Sequence, residues 1–269
     1  MTDEEIIIKK TNPKPPSKEC TPDNDTNVYA KAPIGQPDYL PVHFLEDGVK
    51  AQNPVARVVI PITNTRIKYG TGFLVSPTLF LTNNHVLLFP NEASTASFQF
   101  NYQDDSQGNP LPLDSFSAIA ANPVIATSPD NDLDYTLVRL APNSSINPGD
   151  KYGFIQLSPI SIAVNQPCNI IQHPEHRRKE VVLQNNQLTN IYPKVIRYKT
   201  DTETGSSGAP VFDNNWKLIS LHHSKGDRDT NGTWLNNEGI RINELIADLK
   251  QKLSPTRVGR SILSELKIL

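Results

Sequence analysis

Short apolar runs constrain this chain's fold more than any other feature. They lie at 55–62, 67–75, 78–82, 97–101 and 135–140, then at 168–172, 180–184, 195–200, 209–212 and 217–222. Each is long enough for a strand and short for a helix, and Gly, Pro and Asn punctuate the intervals. The pattern implies an all-β architecture. It changes once, where Ile242, Leu245, Ile246, Leu249 and Leu253 share one helical stripe. A C-terminal helix is therefore expected over 242–253, with Asn243 capping its start and Pro255 ending it. A second amphipathic stretch follows in 254–269, with Val258, Ile262, Leu263, Leu266 and Leu269. It either packs on the body or offers a docking face. Upstream, residues 9–41 hold seven prolines. Proline that dense prevents regular pairing, so 1–41 reads as an extended or disordered extension. The alternative is an inhibitory segment lying in a cleft. A regulatory partner, if there is one, is expected at this extension or at the tail.

One of the runs opens from Gly205-Ser206-Ser207-Gly208-Ala209-Pro210-Val211-Phe212, a G-x-S-G-x-P block. Small residues around a serine suit nucleophilic attack on a carbonyl. Gly205 permits unusual dihedrals, so its N–H and that of Ser207 can converge on an oxyanion. A Gly/Ser-rich turn opening a strand would look the same, so the block needs partners elsewhere. A serine nucleophile requires a base, and the base an orienting carboxylate. Leu79-Phe80-Leu81-Thr82-Asn83-Asn84-His85 delivers a histidine to a strand end, and Asp134 immediately precedes the apolar run Tyr135 to Leu140.

Taken together these motifs resemble the trypsin/chymotrypsin-like serine peptidases. Thr82-Asn83-Asn84-His85 stands for T-x-x-H, and Asp134-Tyr135-Thr136-Leu137-Val138 for the aspartate signature. The serine block comes third, the family's order, with spacings of 49 and 73 residues. The resemblance spans about residues 50–250. It implies a peptidase domain over 42–253 with two six-stranded antiparallel β-barrels, at about 50–141 and 167–241, joined through 142–166. It implies His85 as general base, Asp134 as its orienter, Ser207 as nucleophile, and the N–H groups of Gly205 and Ser207 as the oxyanion hole. Asp132 and Ser206 are the neighbours to be rejected. No Asp directly precedes Ser207 to receive a free N-terminus, so activation by that ion pair is not expected. Segments such as Phe44-Leu45-Glu46-Asp47-Gly48 and Leu221-His222-His223-Ser224 bring the chain closer to bacterial intracellular trypsin-like peptidases, some linked to defence systems. The implied activity is a serine endopeptidase in a defence or signalling pathway, with a polypeptide substrate and no cofactor. A catalytically silent peptide-binding module and an esterase are the alternatives.

Specificity rests on two residues that disagree. Asp201, six positions before Ser207, stands where a trypsin-like pocket carries its floor, which favours Arg or Lys. His222 stands where glutamyl endopeptidases receive an acidic side chain, and its protonation near pH 6 would aid such cleavage. Asp227-x-Asp229-x-Asn231-Gly232-x5-Glu238 matches a calcium-loop expression, but it lies between strands and not helices, so it reads as a hairpin tip and no metal is assigned. His222 and His223 are adjacent on a strand, should face opposite ways, and should not ligate one ion. A net charge of −2 gives no case for nucleic acid, and His176-Arg177-Arg178-Lys179 reads as a solvated loop. No apolar run reaches a membrane span. Acidic residues follow Met1, and only Cys20 and Cys168 are present, which together favour a reducing, cytoplasmic setting.

Overall fold

The computed structural model describes residues 39–269; the expectations for 1–38, including the Pro-rich extension and Cys20, lie outside the described residues. Residues 40–269 form one unit. It begins with α1 (His43–Gln52) and continues through β1 (Val55–Pro61), β2 (Ile67–Leu74), β3 (Leu79–Thr82), α2 (Pro90–Thr95), β4 (Ser97–Phe100), β5 (Asp114–Ser117), β6 (Val124–Ser128), β7 (Tyr135–Arg139) and α3 (Pro148–Tyr152). The second half holds β8 (Asn169–Gln172), a 3-10 turn at Pro174–His176, β9 (Glu180–Val182), β10 (Gln187–Ile191), β11 (Val195–Lys199), β12 (Pro210–Phe212), β13 (Leu218–Lys225) and β14 (Asn237–Arg241). The chain ends with α4 (Ile242–Leu253) and α5 (Arg257–Glu265).

The strands make two antiparallel sheets of seven, where six each were expected. The first runs β5-β4-β1-β2-β3-β7-β6, the second β10-β11-β14-β13-β12-β8-β9. Each barrel still has six staves, because one stave is broken into two strands. In the first, the Ile119 N–H donates to the Arg139 carbonyl at 3.0 Å and the Ala141 N–H to Ser117 at 2.8 Å, so the end of β5 closes onto the end of β7. β6 lies further along the same edge of β7. The break falls where Asn122 turns to φ 51 and Pro123 offers no N–H. In the second barrel the Leu188 N–H donates to Gln166 at 2.9 Å and closes β10 onto the strand leading into β8. β9 takes the rest of that edge.

Each barrel has its own apolar filling, and a third cluster joins them. Phe80, Phe98, Phe100 and Phe116 dominate the first, and Ile170, Ile196, Tyr198 and Val211 the second. The third combines Phe73, Leu81, Tyr135 and Leu137 of the first barrel with Phe212, Leu221 and Ile240 of the second. α4 adds Ile242, Leu245, Ile246 and Leu249 to it, and α5 adds Ile262 and Leu263. Asn243 does not cap α4. Its side chain instead accepts from the Ile160 N–H and donates to the Ile160 carbonyl, both at 2.9 Å, tying the interbarrel connection to the helix. α5 is fastened to the β2–β3 turn. Glu265 pairs with Arg139 at 2.9 Å and accepts from Ser76 at 2.6 Å. Among the described residues, no helix is long and apolar enough to cross a membrane.

Candidate active site

Two strand ends bring His85 and Asp134 together. β3 ends at Thr82, and the next three residues turn His85 toward the start of β7. Asn83 donates to the Asp134 carbonyl at 2.8 Å and Asn84 to Thr127 Oγ1 of β6 at 2.9 Å. The two asparagines, a departure from the common T-A-A-H, therefore fix this turn against β6 and β7. Asp134 adopts φ 38, and its side chain is 1% exposed. Oδ1 accepts the His85 N–H at 3.0 Å, and Oδ2 lies 2.7 Å from His85 Nδ1. Burial would raise the Asp134 carboxyl, but hydrogen bonds from His223 and His85 overrule it and hold the group at about 2. Asp132 is not part of this arrangement; it pairs with Lys194 near the surface.

Ser207 approaches from the second barrel, held by Thr71 of β2. The Thr71 N–H donates to the Ser207 carbonyl at 2.8 Å, and Thr71 Oγ1 donates to the Gly205 carbonyl at 2.7 Å. Gly208 sits at φ 87 beneath it, where a Cβ would lie 2.0 Å from the Thr71 carbonyl. Ser206 is fully buried, and its Oγ accepts the Glu203 N–H at 3.2 Å, which closes the turn. The Glu175 N–H donates to the Thr204 carbonyl at 2.6 Å. In a trans peptide C=O and N–H point opposite ways, so this bond aims the Gly205 N–H away from Glu175. Glu175 and His176 hold left-handed backbone, with φ 45 and 52. Arg57, which donates to the His176 carbonyl at 2.8 Å, and Tyr69, stacked on its ring at 4.4 Å, brace them. This segment is thus not simply a solvated loop, and Lys179 at its end donates to the Gln52 carbonyl at 2.8 Å.

His85 and Ser207 line one cavity of about 330 Å³ between the barrels, with Lys68, Thr202, Gly205, His222, His223, Ser224 and Lys225 also in its wall. Among the described residues no hydrogen bond joins His85 Nε2 to Ser207 Oγ, a looseness common before substrate binds. Asp201 does not line this cavity. It is exposed, its carbonyl accepts from Gln172 Nε2 at 2.9 Å, and it borders a separate surface cavity with Val181 and Lys199. Thr202, the next residue, takes the place by the cleft and donates to Asn237 Oδ1 at 2.9 Å. His222 does line the cleft, with Nδ1 2.8 Å from the Tyr198 hydroxyl. Burial, reinforced by the neighbouring His223 and His85, drives its pKa down to about 3, so it is not poised to protonate near pH 6.

A β-bulge explains how both adjacent histidines reach the cleft. β13 pairs with β14 at His222↔Gly239 and again at Ser224↔Glu238, leaving His223 as the extra residue. Period-two reasoning therefore failed at this doublet. The calcium-loop residues are engaged otherwise. Asp227 and Glu238 both pair with Arg197, and Asp229 accepts the N–H groups of Asn231 and Thr233 at the hairpin tip. Among the described residues no group of three or more His, Cys, Asp or Glu is placed to hold a metal.

Comparison with known proteins places the fold among known families. A protein of Sinorhizobium fredii, y4fB, is 31% identical, the match covering 86% of this chain and 40% of the relative. The chain spans about half the length of the curated relatives it matches. Among solved structures, the active form of the Rv3671c protease of M. tuberculosis superposes with a TM-score of 0.55 at 16% identity, covering 82% of this chain and 93% of that one. A Glu endopeptidase superposes at 0.51 with 18% identity, over 74% and 91%. At such identities these two show a shared fold. The family described as trypsin-like peptidase domain matches residues 70–221. That is more than half of the chain, which therefore belongs to the trypsin-like peptidase family.

Proposed function

We propose that the chain is a serine endopeptidase that cleaves after acidic residues. In this reading Ser207 attacks the scissile carbonyl as His85 takes its proton, and Asp134 steadies the imidazolium that forms. The N–H groups of Gly205 and Ser207 receive the oxyanion. His85 then protonates the leaving amine, and water resolves the acyl-enzyme by the reverse roles. The observation that carries the specificity is the wall beside Ser207. Thr202, His222, Ser224 and Lys225 line it, while Asp201 lies elsewhere. Among the described residues Glu203 is the one carboxylate in that wall, and it is occupied by Arg177 at 2.8 Å. Hydroxyls, an imidazole and an ammonium suit a substrate carboxylate, and among the described residues no buried carboxylate lines the wall to receive a guanidinium. His222, neutral at rest, serves as a hydrogen-bonding group, and Lys225 adds a positive charge to the wall.

A fluorophosphonate probe and a peptide library test both parts. Labelling should fall on Ser207, and cleavage should follow Glu or Asp. Lys225→Ala and Thr202→Val should each lower kcat/KM for acidic peptides by roughly tenfold or more, the scale of a lost hydrogen bond to a charged group. Cleavage after Arg or Lys would overturn the acidic preference. The second reading, a silent peptide-binding module, draws on the missing Ser207–His85 hydrogen bond. An unlabelled but folded chain would favour it.

A further inference from the structure

The Asp134 carboxylate serves a second imidazole besides that of His85. Its Oδ2 lies 3.1 Å from His223 Nδ1, and His223 Nε2 lies 3.1 Å from Glu238 Oε1. Ionised carboxylates only accept hydrogen bonds. A ring with a carboxylate oxygen at each nitrogen must therefore carry a proton on both. Glu238 in turn accepts from Arg197 Nε at 3.0 Å, and Arg197 also pairs with Asp227. Charges thus alternate in a line from the cleft toward the surface: Asp134, His223, Glu238, Arg197, Asp227. The inner end is shielded from salt and water, since the His223 side chain is 15% exposed and that of Asp134 1%.

We propose that His223 is a positioning residue for the reaction, a fixed imidazolium that clamps the Asp134 carboxylate toward His85 and sets the pH range over which His85 can act as base. The proposal rests on the peptidase reading above. A cation on the far side of Asp134 offsets part of the carboxylate's attraction for a proton on His85. With His223 charged, the base therefore becomes free at lower pH. Among the described residues the charged groups facing His223 come from both barrels. Asp134 and, through it, His85 come from the first barrel. Glu238 comes from β14 with Arg197 of β11 behind it, and His222, the neighbour on β13, is held neutral by burial. Burial alone would lower the His223 pKa, but Asp134 and Glu238 prevail and raise it to about 9, which keeps the cation through neutral pH. The bulge is what permits the arrangement, because a regular strand would have turned His223 away from the face that His222 shares.

Two measurements test it. Nitrogen-15 NMR of the full Ser207→Ala chain needs no activity. Both ring nitrogens of His223 should remain protonated from pH 6 to 8, and loss of a proton near pH 6.5 overturns the proposal. The second measurement is the pH dependence of fluorophosphonate labelling in the wild-type chain and in His223→Asn, which keeps an N–H donor without the charge. The acid limb should move up by about two pH units, the order expected for a unit charge some 6 Å away at an effective dielectric of 20. Labelling near pH 6 then falls by roughly tenfold or more. An unmoved limb in a chain that labels sinks this proposal alone. A wild-type chain that labels at no pH sinks the peptidase reading, and the proposed role with it.

Discussion

Ser206 and Ser207 are adjacent and chemically alike, and only their surroundings separate them. Ser206 Oγ is spent on the Glu203 N–H in a fully buried turn, while Ser207 faces the cavity shared with His85. Ser207→Ala should abolish probe labelling and leave stability within about 0.5 kcal/mol, as for other partly exposed positions. Ser206→Ala should keep labelling and cost about 1 kcal/mol through the lost turn bond. The reverse pattern in labelling would assign the nucleophile to Ser206. His85, Asp134 and Ser207 were legible because each is tied to a strand end by a local motif whose spacing survives any loop geometry. Of the two candidate specificity residues, His222 lines the cavity and Asp201 does not. Asp201 was inferred from its distance to Ser207, but Gln172 holds its backbone outside the cleft and Thr202 faces the cavity instead. Thr71 and His223 carried no motif of their own; each acquires its role by contact across the two barrels.

Helix α1 shows how a peripheral element reaches the site. Its Phe44 packs at 5.0 Å against Trp216, whose indole N–H donates to the Phe44 carbonyl at 2.8 Å. A Cβ at Gly48 would lie 2.6 Å from the Trp216 ring, so helix and ring are in direct contact there. The last turn of α1 carries Gln52, whose carbonyl receives the Lys179 ammonium. Lys179 closes the segment that holds Glu175, the residue aiming Gly205. Gly48→Leu should therefore cost about 1–3 kcal/mol of stability by overpacking, read from the denaturant midpoint. It should also slow labelling of Ser207 in the folded protein. A stability loss without slower labelling would show that α1 is structural only. The helix escaped the sequence reading because only Phe44 is buried in it, too few apolar contacts for a periodic stripe. β5, β6 and β10 escaped for a related reason. β5 buries Phe116 and β10 buries Leu188, with polar neighbours throughout, so nothing in their composition stands out. Runs such as those of β3, β7, β8 and β12 were legible because their strands bury nearly every residue.

At the scale of the whole molecule, five buried titratable groups set how stability follows pH. Burial holds His173 and His222 neutral, with pKa values of about 3 against an ordinary 6.5. As pH falls below 6.5 the unfolded chain binds these two protons and the folded chain does not, so stability declines. Each histidine accounts for about 2 kcal/mol lost at pH 5. Asp134 adds to the loss only below about pH 4, as pH approaches its folded value of about 2. Above neutrality two slopes oppose each other. His223, raised to about 9, gives stability that is complete below 6.5 and lost as pH rises through 9. Lys179, lowered by burial to about 7 from 10.5, has the opposite sign, since between those values only the unfolded chain keeps its proton. The two offset each other between pH 7 and 9. Denaturant midpoints should thus show a plateau over that range and a fall beginning near pH 6.5. His173→Phe should roughly halve the acid slope. His223→Asn should turn the plateau into a rise with pH, and Lys179→Met into a decline. A plateau that extends below pH 5.5 in the unmodified chain would show that His173 and His222 are not buried as neutral groups, and would remove the premise that His222 meets the substrate as a neutral hydrogen-bonding group.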